Sequence, residues 1–205
     1  MDASHYDRRY AADDAYFGRS PSRWITTYLD GETGGRVLDL GSGQGRNALF
    51  LAEKGYRVRA VDSSSTAVER LKSTAASRGL NITAECRDIT TLNPPRGTFD
   101  IVLAITVLCH LKDQDVPRVA GTMMSALSPG GLVLTEDFTP SDPGAAGRRR
   151  ASEFAPLVRN YFSPKKIQNL FTPLDTVVCR TLEVEDESHG ETHGHGIIRY
   201  VGRRI

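Results

Sequence analysis

The sequence predicts an α/β fold, a doubly wound and mostly parallel sheet with helices on both faces. Three observations carry that prediction. Short apolar, β-branched runs alternate with segments of helical period as far as Phe138. The runs are apolar throughout rather than alternating with polar residues, as strands buried on both sides require. A glycine-rich turn joins the first such run to the helix after it.

At the front, Ser20-Pro21 reads as a cap and first helical position, opening a helix through Trp24, Ile25 and Leu29. Arg36–Leu40 is the first strand, and Asn47–Lys54 a helix stopped by Gly55. Tyr56–Val61 is a second strand, followed by a helix from Ser64 to Arg78 with Val68, Leu71 and Ala75 at helical spacing. Ile82–Cys86 makes a third strand. Phe99–Leu103, after the Pro94-Pro95 break, is the most apolar run and is placed at the centre of the sheet. Asp113–Leu127 is helical, with Pro117 in its first turn. Ser128-Pro-Gly-Gly131 turns the chain into a fifth strand, Leu132–Phe138. Ser163-Pro164 caps a short helix, Lys165–Phe171. Thr176–Glu185 and Gly196–Gly202 then form a closing hairpin around a polar turn at Ser188–His195.

The 205 residues, 39% hydrophobic and 25% charged, suit one domain over 1–205 with its own core. Within it, 1–30 reads as an N-terminal helical cap and 139–162 as a loop insertion. The 26 basic and 25 acidic side chains nearly cancel, which argues against a dedicated nucleic-acid binder. Cys86, Cys109 and Cys179 are odd in number and widely spaced, so no disulfide framework or zinc knuckle is expected. The opening MDASHYDRRYAADD is unlike a secretory signal. The longest apolar run, Ile101 to Cys109, falls short of the ~20 residues that span a bilayer. The expectation is a soluble cytoplasmic protein without membrane or nucleic-acid partners, its oligomeric state unspecified.

The stretch Val37 to Arg46, VLDLGSGQGR, is the most informative. Gly41 permits a sharp turn, and Gly43 lets a ligand approach the backbone where no Cβ intervenes. Ser42 lies between them, and Gly45 and Asn47 stand at the helix start, where free N–H groups point outward. A dinucleotide fingerprint needs its third glycine at position 46, which is Arg46 here. Asp39, two residues before the first glycine, repels a pyrophosphate and suits an ammonium group. An adenosyl ligand without phosphates is indicated, and S-adenosylmethionine is that ligand. Asp62, 23 residues after Asp39 at the end of the second strand, is placed to accept bonds from both ribose hydroxyls, with Ser63 beside it. Asp88 can accept from the adenine amino group while Ile89 packs against the ring. Read alone, Asp62 is equally a helix-entry acid.

In these residues the chain resembles the class I S-adenosylmethionine-dependent methyltransferases from Arg36 to Phe138. Asp39–Gly45 matches their first motif, Asp62 the ribose acid and Arg87-Asp88-Ile89 the adenine segment. Phe99–Leu111, with Ala104 within it, resembles the fourth-strand motif at the methionine end. The resemblance implies a Rossmann-like sheet of seven strands, the last antiparallel to the rest. Gly45-Arg-Asn47, Tyr16–Trp24 and His189–Ile198 further resemble the small tellurite-resistance-type methyltransferases. Gly194 stands where that group often has an arginine. The implied activity is methyl transfer to a small-molecule acceptor; the alternatives are an NAD(P)-dependent oxidoreductase and a non-catalytic adenosyl-ligand binder.

In-line displacement on an activated methyl needs positioning above all. A general base is needed only for a protonated acceptor. His110, after strand four, and His193 are the candidate catalytic residues. Cys109 reads as a buried small hydrophobe. His189, His193 and His195 lack a carboxylate or cysteine at a recognised ligand spacing, so no metal is expected. An extended 193–195 segment points both imidazoles the same way. The 139–162 loop, carrying Arg148-Arg-Arg150, reads either as a solvated surface turn or as a lid whose Arg150 pairs an anionic acceptor group. Tyr16 and Arg19 close the other side, while Phe17 and Trp24 read as core anchors.

Overall fold

Runs of β-branched and aliphatic residues become the inner strands, because a strand covered on both faces has no polar side to present. The computed structural model describes residues 3–29, 31, 33–145, 160–186 and 192–205. Its strands are β1 (Arg36–Leu40), β2 (Arg57–Asp62), β3 (Ile82–Cys86), β4 (Phe99–Ile105), β5 (Leu127–Phe138), β6 (Asp175–Asp186) and β7 (His193–Arg203). They form one seven-stranded sheet in the order β3-β2-β1-β4-β5-β7-β6. β1 to β5 pair in parallel, and β7 runs antiparallel to both β5 and β6. β4 is therefore the middle strand, and every residue of it except Asp100 is buried.

The helices are α1 (Ala3–Ala12), α2 (Arg23–Tyr28), α3 (Arg46–Glu53), α4 (Ser65–Ser77), α5 (Val116–Ala126) and α6 (Pro164–Leu170). Strand alternation divides the core in two. Val37 and Leu103 pack with Trp24, Leu51 and Leu71 from α2, α3 and α4. Their neighbours Leu38 and Val102 turn to the other face, among Val119 and Met123 of α5 and Ile167 of α6.

Three local expectations are corrected. The cap of α2 is Ser22, whose hydroxyl accepts from Trp24 N, not Ser20. Ser128–Gly131 does not precede β5 but lies inside it as an irregular stretch: Phe99 pairs with Leu127, and Ile101 next with Leu132. β6 and β7 are longer than expected, so His193 and His195 sit in a strand rather than a turn. Helix α1 falls within the expected 1–30 helical cap, though its bounds were not placed, since its only large apolar surface is the i, i+4 pair Tyr6 and Tyr10. It is held by Asp7, which accepts from the Ser64 hydroxyl and Thr66 N at the start of α4. All three cysteines are free, with Cys109 fully buried.

Candidate active site

Beyond the carboxyl end of β1 the backbone folds sharply across β2, with Gly41 N and Ser42 N both donating to Val61 O at 2.8 and 3.2 Å. Only glycine fits this path. Gly41 has φ +67°, and a Cβ there would lie 2.5 Å from a methyl of Val107. Gly45 starts α3 at φ +89°, with the buried Leu71 side chain 2.3 Å from where its Cβ would be. At Gly43 a Cβ would meet the Tyr10 hydroxyl at 3.0 Å.

Asp62 ties this loop to the next helix. Its Oδ2 accepts from Gly43 N at 2.7 Å and its Oδ1 from Ser64 N at 2.8 Å. The loop acid and the helix-entry acid are thus one residue, and the formal cap of α4 is Ser64. Burial raises the Asp62 pKa, and the amide donors around it pull it back. Asp39, 2% exposed, keeps Oδ2 buried without a hydrogen-bond partner. Burial, then the charge of Asp62, push its pKa up to about 7 against the opposing charge of Arg46. An acid pair of this kind is relieved by a cation and made worse by a pyrophosphate.

The N-terminal segment is laced to the same loop. Gln44 Oε1 accepts from Tyr16 N at 2.9 Å, and Gln44 Nε2 donates to Asp13 O. Arg46 donates to Phe17 O, and Asn47 Oδ1 accepts from Ser22 N in the interior. These bonds draw Tyr6, Tyr10 and Phe17 over a cavity of about 940 Å³ whose other side is the glycine loop.

Gly41, Ser42, Gly43, Gly45, Asn47, Asp62 and Ser63 all line that cavity, as do Arg19, His110 and His193. Other expected residues sit elsewhere. Asp39 lies behind the lining. Asp88 caps the single turn Ile89–Thr91 through Thr90 N, and Ile89 is buried in the α5 side of the core. Ala104 is fully buried, because β4 continues past it; the lining at that strand end is Ile105, Thr106 and Val107. Thr106 holds φ +57°, an uncommon conformation for a residue with a Cβ. Tyr16 supports the loop through its backbone and does not line the cavity. Arg150 and His189 lie outside the described residues, as does 146–159 of the expected lid.

His110 closes the turn Leu108–His110, with its ring edge-on to Tyr6 at 6.0 Å between centroids. That turn is fixed by Asp137, whose Oδ1 accepts from Cys109 N at 3.0 Å. Burial pushes Asp137 up to about 8.

The wall formed by β5, the segment just after it and β7 supplies groups that sequence reading did not place in the site. Arg199 and Glu136 face each other across β5 and β7 and pair at 2.6 Å, with the guanidinium 5.4 Å from the Trp24 ring centre. Asp142, 4% exposed, accepts from Gly144 N on one oxygen and from Gly196 N on the other. The latter oxygen also meets His195 Nδ1 at 2.8 Å. Gly196 makes this approach possible: a Cβ there would lie 2.7 Å from Thr139 Oγ1 and 3.0 Å from Asp142 N. Tyr6 and Tyr10 were also missed; the signal was their i, i+4 spacing in an otherwise polar segment.

Residues 37–131 match the family described as a methyltransferase domain. Over those residues, and in its sheet order and glycine loop, the chain is similar to a methyltransferase domain of the class I, S-adenosylmethionine-dependent type. Within that class it is similar to the probable S-adenosyl-L-methionine-dependent methyltransferase TehB of Haemophilus influenzae, 33% identical over 99 residues, 48% of this chain and 34% of that protein. The crystal structure of TehB from that organism superposes with a TM-score of 0.77 at 20% identity, covering 98% of this chain and 67% of that one. Hemagglutinin 1 of Eikenella corrodens is 41% identical over 101 residues, 48% of this chain and 33% of that protein. A 2-heptyl-1-hydroxyquinolin-4(1H)-one methyltransferase of Mycobacteroides abscessus is 31% identical over 126 residues, 60% of this chain and 56% of that protein. This chain thus spans about a third to just over half the length of these curated relatives. Among the described residues no helix is long and apolar enough to cross a membrane.

Proposed function

We propose that the chain transfers a methyl group from S-adenosylmethionine to a small-molecule acceptor. The observation that carries this reading is the acid pair at the glycine loop: Asp39 buried with an unpartnered oxygen, and Asp62 beside it on the cavity wall. Such a site favours a positively charged adenosyl ligand over a dinucleotide. The cofactor, when bound, supplies an electrophilic methyl on a sulfonium. Asp62 and Ser63 are the residues to hold the ribose, and the bare backbone at Gly41 and Gly43 lets the ligand approach closely. Asn47 and Gln44 keep the N-terminal segment over the site and so restrict water.

The chain's share of the catalysis is orientation, worth effective molarities of ~10⁵–10⁸ M when acceptor and methyl are held in line. His110 is the candidate contact or base for an acceptor that arrives protonated, with His193 and Arg19 on the same cavity wall. A cavity of about 940 Å³ shared between cofactor and acceptor leaves room for a small molecule. The quinolone-directed relative is named for an acceptor of that size. Balanced charge argues against a nucleic-acid substrate, and three free cysteines suit the reducing cytoplasm to which we assign the protein.

Calorimetry tests the cofactor first. S-adenosylhomocysteine is expected to bind in the micromolar range and NAD not at all; NAD binding in its place would overturn the proposal. Mass spectrometry then screens thiols, phenols, amines and oxyanions for the gain of one methyl.

A further inference from the structure

The antiparallel register of the closing hairpin sets Asp186 directly opposite His193, and Val184 opposite His195. Residues two apart on a strand share a face, so His193 and His195 project together, their rings edge-to-face with centroids 4.7 Å apart. One ligand atom from each of Asp186, His193 and His195 lies within 4.8 Å of the other two. All three residues line the cavity that the glycine loop lines.

We infer that Asp186, His193 and His195 form a binding site for a divalent transition-metal cation of the zinc type. Two imidazoles and one carboxylate are the nitrogen–oxygen donor set such ions take, whereas calcium and magnesium require oxygen. Bonds of about 2.0–2.1 Å call for ligand atoms closer than 4.8 Å, and side-chain rotation closes that gap on a backbone already in register. Three protein ligands leave a coordination position open towards the cavity.

The second observation is Asp142. Its carboxylate takes two backbone N–H groups, so the 2.8 Å contact makes His195 Nδ1 the donor. The other ring nitrogen then carries the lone pair a metal needs, the orientation that carboxylates impose on metal-bound histidines. Resting on the methyltransferase reading, the open position would take an acidic hydroxyl or thiol of the acceptor. Its proton would pass to solvent and the anion would be held for attack.

The untagged chain, stripped with chelator, is titrated with Zn²⁺ by calorimetry and with Co²⁺ by visible absorption. S-adenosylhomocysteine affinity is measured in parallel as a readout of fold. One ion per chain is expected. His193→Ala and Asp186→Asn should each abolish or sharply weaken metal binding, and Asp142→Asn should weaken it ~10–100-fold. S-adenosylhomocysteine binding should persist in all three. No saturable metal binding, or binding indifferent to all three substitutions, would overturn the site. Zinc binding in a protein that does not bind S-adenosylhomocysteine would keep the metal site and remove the cofactor reading.

Discussion

The glycine-loop wall and the β7 wall of one cavity are built by opposite means. The first is backbone. Its residues run continuously from Gly41 to Asn47, and what matters at Gly41 and Gly45 is the side chain that is absent. The second is made of side chains from distant parts of the chain: His195 meets Asp142 across 53 positions, and Arg199 meets Glu136 across 63. A wall of backbone is fixed by sterics and tolerates little. A wall of side chains depends on strand register, and each member can change without moving the others.

The largest expected effect is at the first wall. Gly41→Ala forces a Cβ into Val107 at a left-handed φ, and should cost about 2–5 kcal/mol in urea unfolding. A cost below 1 kcal/mol would show that the loop can move and would break the contrast. Next comes Asp62→Ala, expected to weaken S-adenosylhomocysteine binding by ~1.5–3 kcal/mol for each charge-assisted bond lost. Unchanged affinity in calorimetry would place the ribose elsewhere. At the second wall, Gly196→Ala crowds Thr139 and Asp142 and should cost ~1–3 kcal/mol of stability. It should lower Zn²⁺ affinity while sparing S-adenosylhomocysteine; equal losses of both would mean that the two walls act as one unit.

The gentlest effect is a slope with pH. An ordinary aspartate titrates near ~3.9, and burial raises Asp39 to about 7. Between those values the folded protein holds a proton that the unfolded chain has lost. The contribution to stability is therefore complete below pH ~4 and declines as pH rises towards 7. Asp39→Asn should flatten that decline in urea melts at pH 5 and 7.5. A cationic cofactor favours the ionised form, so its binding near pH 7 should release protons, detectable as a buffer-dependent heat. An unaltered slope in the variant would remove Asp39 from the electrostatic account.

The same contrast governs what could be read in advance. The β-α alternation, the central place of β4 and the loop glycines were legible because each rests on local period or on one missing Cβ. Asp88, Ile89 and Ala104 were assigned by motif position, and the structure sets them off the cavity: a cap, a core residue and a strand residue one step short of the rim. Asp142 was illegible because nothing local links it to His195; only the close approach allowed by Gly196 does. His193 and His195 were read as turn residues because Gly194 between them and the polar run before them lower strand propensity. Eleven paired positions along β6 outweigh that.

The closing hairpin has a consequence for how this protein can diversify. β7 touches the parallel part of the sheet along one edge only, against β5, and carries β6 with it. A hairpin is a locally forming unit that can dock as one piece. Exchanging that cassette for another of the same register would replace Asp186, His193 and His195 in a single step. Asp39, Asp62 and the glycines, on the far strands, would keep their places, so the facing wall could be replaced by swapping a single module while the glycine-loop wall stayed intact.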